Sequence, residues 1–188
     1  MTEIWWVRHG PTHRKDMIGW TDAPADLSDT EALSRLAAYL PDAPVVSSDL
    51  SRAVATADAI LGARPRLGHL PGLRELNFGA WEGRSAAELY DEAPEIMTAY
   101  WNDPASIRPP GGESFTDLAA RVNDALDALA EHPRVIAVAH FGVILTQIHR
   151  ARGGDVKQVL AERIENLSVT ELRRGPSGWN TGRINHRP

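Results

Sequence analysis

A three-layer α/β fold with a mostly parallel central sheet is predicted by three observations in this sequence. Two apolar runs, Ile4-Trp5-Trp6-Val7 and Val135-Ile136-Ala137-Val138-Ala139, read as strands buried on both faces. Between them, strand and helix patterns alternate from the start, which requires crossovers and puts helices on both faces of the sheet. The 188 residues fit one domain, residues 1–188, with a core large enough to need no disulfide or metal staple.

Each element has its own signal. Pro11 to Leu27 is polar and punctuated by Gly19 and Pro24, so it reads as a long loop. Ser28, with Glu31 three residues on, has the form of a capping box. Leu33, Leu36, Ala37 and Leu40 then follow helical spacing until Pro41. Val45-Val46-Ser47-Ser48 is a short second strand, and the Ala-rich stretch Asp49 to Leu61 a second helix. Arg66 to Leu70 is a third strand. Leu73 to Gly83, with two glycines and two aromatics in six residues, is a folded loop. Ser85–Tyr90 and Pro94–Trp101 read as short helices, joined by a Pro- and Gly-rich stretch to the longest helical pattern, Ser114–Glu131. A helix from Val143 to Ala151 follows the second apolar strand. Leu167–Leu172 and Trp179–Ile184 alternate well enough to be edge strands of the same sheet.

Composition narrows function. The net charge of −5 gives no general basic field for nucleic acid or an anionic membrane surface, so a local cationic pocket stands out. Cysteine is absent, which excludes disulfides and thiolate metal sites. Glu3 and Arg8 interrupt any signal-peptide pattern, and no apolar run approaches membrane-spanning length, so the expected location is the cytoplasm. No feature of the sequence sets an oligomeric state.

Both apolar strands end in a histidine, His9 after Val7-Arg8 and His140 after Ala139. The strand ending at Ser48 runs into a helix whose first turn carries Arg52. If the three strands are parallel neighbours, Arg8, His9, Arg52 and His140 reach one sheet edge, where ligands of open α/β sheets collect. A single strand-end histidine is more often satisfied by backbone; two, with two arginines, favour an anion site. The other five histidines (His13, His69, His132, His149, His186) fall on no such pattern and read as surface or loop residues.

The chemistry of that grouping is phosphoryl transfer. Guanidinium forks match phosphate oxygens, and an imidazole can act as nucleophile through a covalent intermediate. Fixed cations at Arg8, Arg52 and His140 would meet the charge that develops. A leaving alkoxide needs a proton, and Glu75 and Glu82, both in the Gly/Trp loop, are the carboxylates available; spacing does not separate them. No Gly-x-x-x-x-Gly-Lys loop, helical His pair or glycine-flanked serine offers another route.

These residues resemble the histidine phosphatase superfamily, the phosphoglycerate mutase-like family. Arg8-His9-Gly10-Pro11-Thr12 is similar to its N-terminal signature, and Ser48-Asp49-Leu50-Ser51-Arg52-Ala53 to its second block. Glu75 to Gly83 resembles the acid-bearing block, and Ala139-His140-Phe141-Gly142-Val143 the second histidine block. The resemblance implies the phosphoglycerate mutase-like fold, His9 as phosphate-accepting nucleophile and Glu75 as the acid. Arg8, Thr12, Arg52 and His140 are then the phosphate ligands, with no metal and no cofactor. Lys15 stands where the family often has Asn, and is carried as a further phosphate-binding candidate.

Only Arg84 to Arg134 separates the acid block from the second histidine block, without the Arg- and Pro-rich substrate segment of the mutases. The expectation is therefore a metal-independent phosphomonoester hydrolase acting on a small phosphorylated metabolite. Phe78 to Gly83 with Pro110-Gly111-Gly112-Glu113-Ser114 is similar to the α-ribazole phosphatase branch. The alternatives are mutase-type phosphoryl transfer, or a non-catalytic member that binds a phospho-ligand or a protein.

Overall fold

In the computed structural model, which describes residues 3–188, the first apolar run becomes strand β1 (Glu3–Arg8). Residues 1 and 2 of the expected domain lie outside the described residues. The chain continues through α1 (Thr30–Tyr39), β2 (Val45–Ser47), α2 (Ser51–Ala59) and β3 (Arg66–His69). After two single 3-10 turns, Pro71–Leu73 and Gly79–Trp81, come α3 (Ala86–Glu92), α4 (Pro94–Asn102) and α5 (Phe115–Asp127). Strand β4 (Arg134–Ala139), α6 (Phe141–Arg152), α7 (Val156–Leu160), β5 (Val169–Gly175) and β6 (Gly178–Thr181) complete it.

The six strands form one sheet in the order β3-β2-β4-β1-β5-β6. β3, β2, β4 and β1 are mutually parallel, while β5 and β6 run antiparallel to their neighbours. Alternation along β4 explains the layering. Val135, Ala137 and Ala139 face a core with Leu118, Val122, Leu126, Ile144 and Ile148 of α5 and α6. Ile136 and Val138 face the opposite core, with Leu33 and Leu36 of α1 and Ala53 and Ala57 of α2. β1 and β4 are neighbours whose following helices lie on opposite faces, the switch point at which such sheets open a crevice.

Several boundaries differ from the expectation. The cap of α1 is Asp29, whose side chain accepts the Ala32 N–H, and Ser28 instead donates its N–H to Asp26. With the helix starting one residue later, Glu31 misses the third helical position and no capping box forms. α5 stops at Asp127, although Leu129, still buried, continues the apolar stripe through a following turn. Leu167 lies outside β5 because its φ is 60°, in the left-handed region, and its N–H donates to the Arg8 carbonyl. β5 is not an edge strand: it lies between β1 and β6. His149 is a half-buried packing residue of α6, against Phe115, rather than a surface or loop residue; His186 lies in the loop after β6, half-buried against Tyr39. Helix α7 carried no recognised signal. Among the described residues no helix is long and apolar enough to cross a membrane.

Candidate active site

The register of β1 against β4 decides the site. Arg8 lies opposite Ala139, so His9 and His140 leave the sheet side by side, their rings 5.1 Å apart. The His9 N–H still donates to the Ala139 carbonyl at 3.1 Å, extending the pairing one step beyond the strand. β2 flanks β4 on its other side and delivers Arg52 in the first turn of α2.

His9 is held by its backbone and by one ring nitrogen. Asn166 donates to its carbonyl at 2.8 Å, and Nδ1 lies 2.6 Å from the Gly10 carbonyl. A carbonyl only accepts, so Nδ1 carries the proton and Nε2 keeps its lone pair. Burial, reinforced by the Arg52 and Arg8 charges, lowers the His9 pKa to about 3, so the ring is neutral at ordinary pH. Gly10 is small here because of a close approach: a Cβ would stand 2.6 Å from Leu27 Cδ2. Its N–H donates to Thr56 Oγ1, which in turn donates to the Arg52 carbonyl, tying the loop to α2.

Arg52 is almost fully buried and its donors are spread three ways. Nε donates to His140 Nδ1 at 3.3 Å, and the terminal nitrogens to the carbonyls of Thr21 and Gly19 at 2.9 and 2.6 Å. The bond to Nδ1 places the His140 proton on Nε2. Burial, then the charges of His9 and the nearby arginines, keeps His140 well below its ordinary pKa. Arg8 donates to the Ile164 carbonyl and lies over the Phe141 ring at 5.3 Å. Arg8 Nε and His140 Nε2 are buried donors with no hydrogen bond among the described residues, which fits them to an anion's oxygens.

The two carboxylates separate cleanly in three dimensions. Glu82 accepts backbone N–H groups of Gly19, Trp20, Thr21 and Phe78 and the Thr21 hydroxyl, so it knits two loops together. Glu75 lines the same cleft as His9, its carboxylate oxygens accepting, among the described residues, only the N–H groups of Leu76 and Gly142. Its backbone is fixed from behind: its carbonyl accepts from Trp20 Nε1 at 2.9 Å and from Arg121 at 3.1 Å. Arg121 also binds the carbonyls of Gly72 and Arg74 and forms a two-pronged ion pair with Glu113.

Arg8, His9, Thr12 and Glu75 thus line one cleft of about 500 Å³, with Arg52 and His140 beneath it. Thr12 is half-buried at its wall. Lys15 is not brought there. The chain turns at His13 (φ 56°), Arg14 and Asp16 pair with each other at the cleft, and Lys15 is exposed, with no hydrogen bond or ion pair among the described residues. The roles of Asn166, Gly142 and Arg121 were not legible in the sequence, since each acts through a long-range backbone contact. Among the described residues no group of three or more His, Asp or Glu side chains is arranged to hold a metal ion.

A neutral imidazole with a free Nε2, ringed by buried cationic and neutral N–H donors and faced by a carboxyl group, can attack phosphorus and protonate a leaving oxygen. Comparison with known proteins agrees with that chemistry. The sequence matches the histidine phosphatase superfamily (branch 1) over residues 4–187. It is 32% identical over 157 residues to the adenosylcobalamin/alpha-ribazole phosphatase of Salmonella typhimurium, covering 78% of each chain. It is 29% identical over 189 residues to the probable phosphoglycerate mutase GpmB of Proteus mirabilis, covering 95% of this chain and 88% of that one. The fold superposes on a mycobacterial glucosyl-3-phosphoglycerate phosphatase with a TM-score of 0.84 and 26% identity, each chain covered completely.

Proposed function

The chain belongs to the histidine phosphatase superfamily, branch 1, and we propose that it is a phosphomonoester hydrolase working through a phosphohistidine on His9. The observation that carries this reading is the state of the His9 ring: proton on Nδ1, Nε2 free, beside Arg8, Arg52 and His140. In the first step Nε2 attacks phosphorus, the ester P–O bond breaks, and Glu75 gives its proton to the departing alkoxide. The Nδ1–H bond to the Gly10 carbonyl steadies the positive charge the ring acquires. Arg8, Arg52 and His140 Nε2–H hold the phosphoryl oxygens, whose charge they match without rearrangement. In the second step Glu75, now a carboxylate, takes a proton from water as its oxygen attacks phosphorus and the P–N bond breaks. Inorganic phosphate leaves, and Glu75 is again protonated.

We further propose that residues 1–188 act as one domain, since both cores share one sheet. Phosphatase is preferred to mutase because the segment between Glu75 and β4 holds a 3-10 turn, the short helices α3 and α4, and α5, without the Arg- and Pro-rich substrate segment of the mutases. A small phosphorylated metabolite is the expected substrate, with α-ribazole phosphate a named candidate from the Salmonella relative. The test is a panel of phosphorylated metabolites assayed for released phosphate and for isomerised product in parallel. Phosphate release without isomerisation is expected. Isomerisation outpacing release would overturn the hydrolase reading.

A further inference from the structure

Beside the cleft that holds His9 lies a second cavity of about 260 Å³, of opposite character. Its walls are Phe78, Tyr100, Trp101, Phe115 and Leu160, and no Arg, Lys or His lines it. The wall is stiff on one side, because Tyr100 packs edge-on between Trp81 at 5.2 Å and Trp101 at 5.6 Å. Trp81, Leu89, Met97 and Tyr100 form a small core of their own under α3 and α4. Tyr100, a member of that small core, also lines the second cavity, with Trp101 beside it.

Glu75 belongs to both cavities. Attacking and leaving atoms lie in line through phosphorus, so the leaving oxygen lies away from His9. If Glu75 protonates that oxygen, the carbon attached to it continues past Glu75. The space on that side is the apolar cavity, which also includes Gly142, the donor to the Glu75 carboxylate. We infer that this cavity receives the leaving alcohol, so that the protein favours phosphomonoesters with an aromatic or otherwise apolar body over sugar and glycerate phosphates. This inference rests on the hydrolase reading for its chemistry, but the binding preference can be measured without turnover.

Size and polarity both fit. Roughly 150 Å³ suffices for a benzene ring, so the cavity takes a ring with substituents. A second carboxylate or phosphate would meet no cation there and would lose its hydration without compensation. The Tyr100 hydroxyl, which makes no hydrogen bond among the described residues, offers one polar contact. Burial, with the nearby Glu75 charge, pushes its pKa up to about 12, so it stays a donor.

The experiment compares ethyl, 2-phenylethyl and glycerol phosphates, all esters of alkyl alcohols, with the matching non-hydrolysable ethyl- and 2-phenylethylphosphonates. Calorimetry on the wild-type protein should find the phenylethyl phosphonate bound about ten- to a hundredfold more tightly than the ethyl one, the gain expected from burying a phenyl group. Trp101→Ala and Leu160→Asp should each narrow that ratio. Equal phosphonate affinities, or tighter binding of a polar ester, would overturn the cavity assignment whatever the turnover. Selective phosphonate binding with no phosphate released from any ester would overturn the hydrolase reading instead and leave the cavity assignment standing.

Discussion

The Gly142 N–H reaches the Glu75 carboxylate at 3.0 Å, and a Cβ at position 142 would stand 2.4 Å from the same group. The missing side chain is what admits the carboxylate to the first turn of α6. Gly142→Ala should push Glu75 aside with little effect on the helix, whose backbone there is ordinary. Turnover of alkyl phosphates should fall about a hundredfold, as expected for a misplaced catalytic group. Unimpaired turnover would mean that Glu75 does its work from elsewhere.

Glu75→Gln and Glu82→Gln should fail in different ways. The first removes the proposed proton donor, so burst-phase release of poor alkyl leaving groups should drop by roughly two orders of magnitude or more, and that of activated aryl groups much less. The second leaves loop amides short of their acceptor, so it should cost about 1–3 kcal/mol of stability without leaving-group dependence. Urea midpoints and rapid-quench bursts read the two effects. A leaving-group effect in the Glu82 variant would mean the roles were exchanged.

Replacing His9 with Ala should lower turnover by roughly three orders of magnitude or more, since it removes the proposed nucleophile itself. Quenching the wild-type protein with labelled substrate should trap acid-labile phosphate on His9. Label on another residue would show that a different group attacks.

Arg52→Lys should behave as a severe change rather than a mild one. A single ammonium cannot serve His140, Thr21 and Gly19 in three directions at once. KM should rise, kcat should fall, and inhibition by vanadate or inorganic phosphate should weaken in parallel. Chelators should leave the wild-type rate unchanged; loss of activity restored by a divalent ion would contradict the scheme.

Acid should destabilise the fold through the two histidines. Both are held below their ordinary pKa by burial first, His9 at about 3, whereas in the unfolded chain they titrate near 6.5. Below about pH 6.5 the unfolded state therefore binds protons that the native state refuses. Their contribution is complete above that pH and is lost as pH falls below it, for His9 down to about 3, at about 1.4 kcal/mol per pH unit for each histidine that stays neutral in the native state. Denaturant midpoints measured from pH 7 to 4 should fall less steeply in His9→Ala. A His9 ring resonance titrating near 6.5 in the native protein would refute this.

What was legible in the sequence was whatever depends on strand ends. Val7-Arg8-His9 and Ala139-His140 each announce a buried strand stopping at a polar group, and parallel pairing of the two then puts the histidines together. Glu75 against Glu82 was not legible from spacing, and only the family resemblance pointed to Glu75, because the difference lies in which distant N–H groups each carboxylate meets: Gly142 for one, Gly19 to Thr21 for the other. Asn166 and Arg121 were hidden for the same reason. The placement of β5 was missed because the left-handed turn at Leu167 and the reversal it introduces have no periodic signature. Whether Lys15 reaches the cleft was not legible either, because a loop's direction turns on single φ angles such as that of His13.

The brace on His9 has a kinetic consequence. Ile164 and Asn166, which hold Arg8 and the His9 carbonyl, are separated from them by 156 and 157 positions along the chain. β1 is also the strand that β4 and β5 close around, so its neighbours are contributed by the second half of the sequence. Closing such distant pairings costs chain entropy before any contact rewards it, and this places the His9 site among the late arrivals in refolding. Secondary structure in α1, α2 and α5 should return before the first turnover does. Regained activity in a refolding experiment is then a clock for completion of the central sheet, and a fragment ending before Ile164 has no means of starting it.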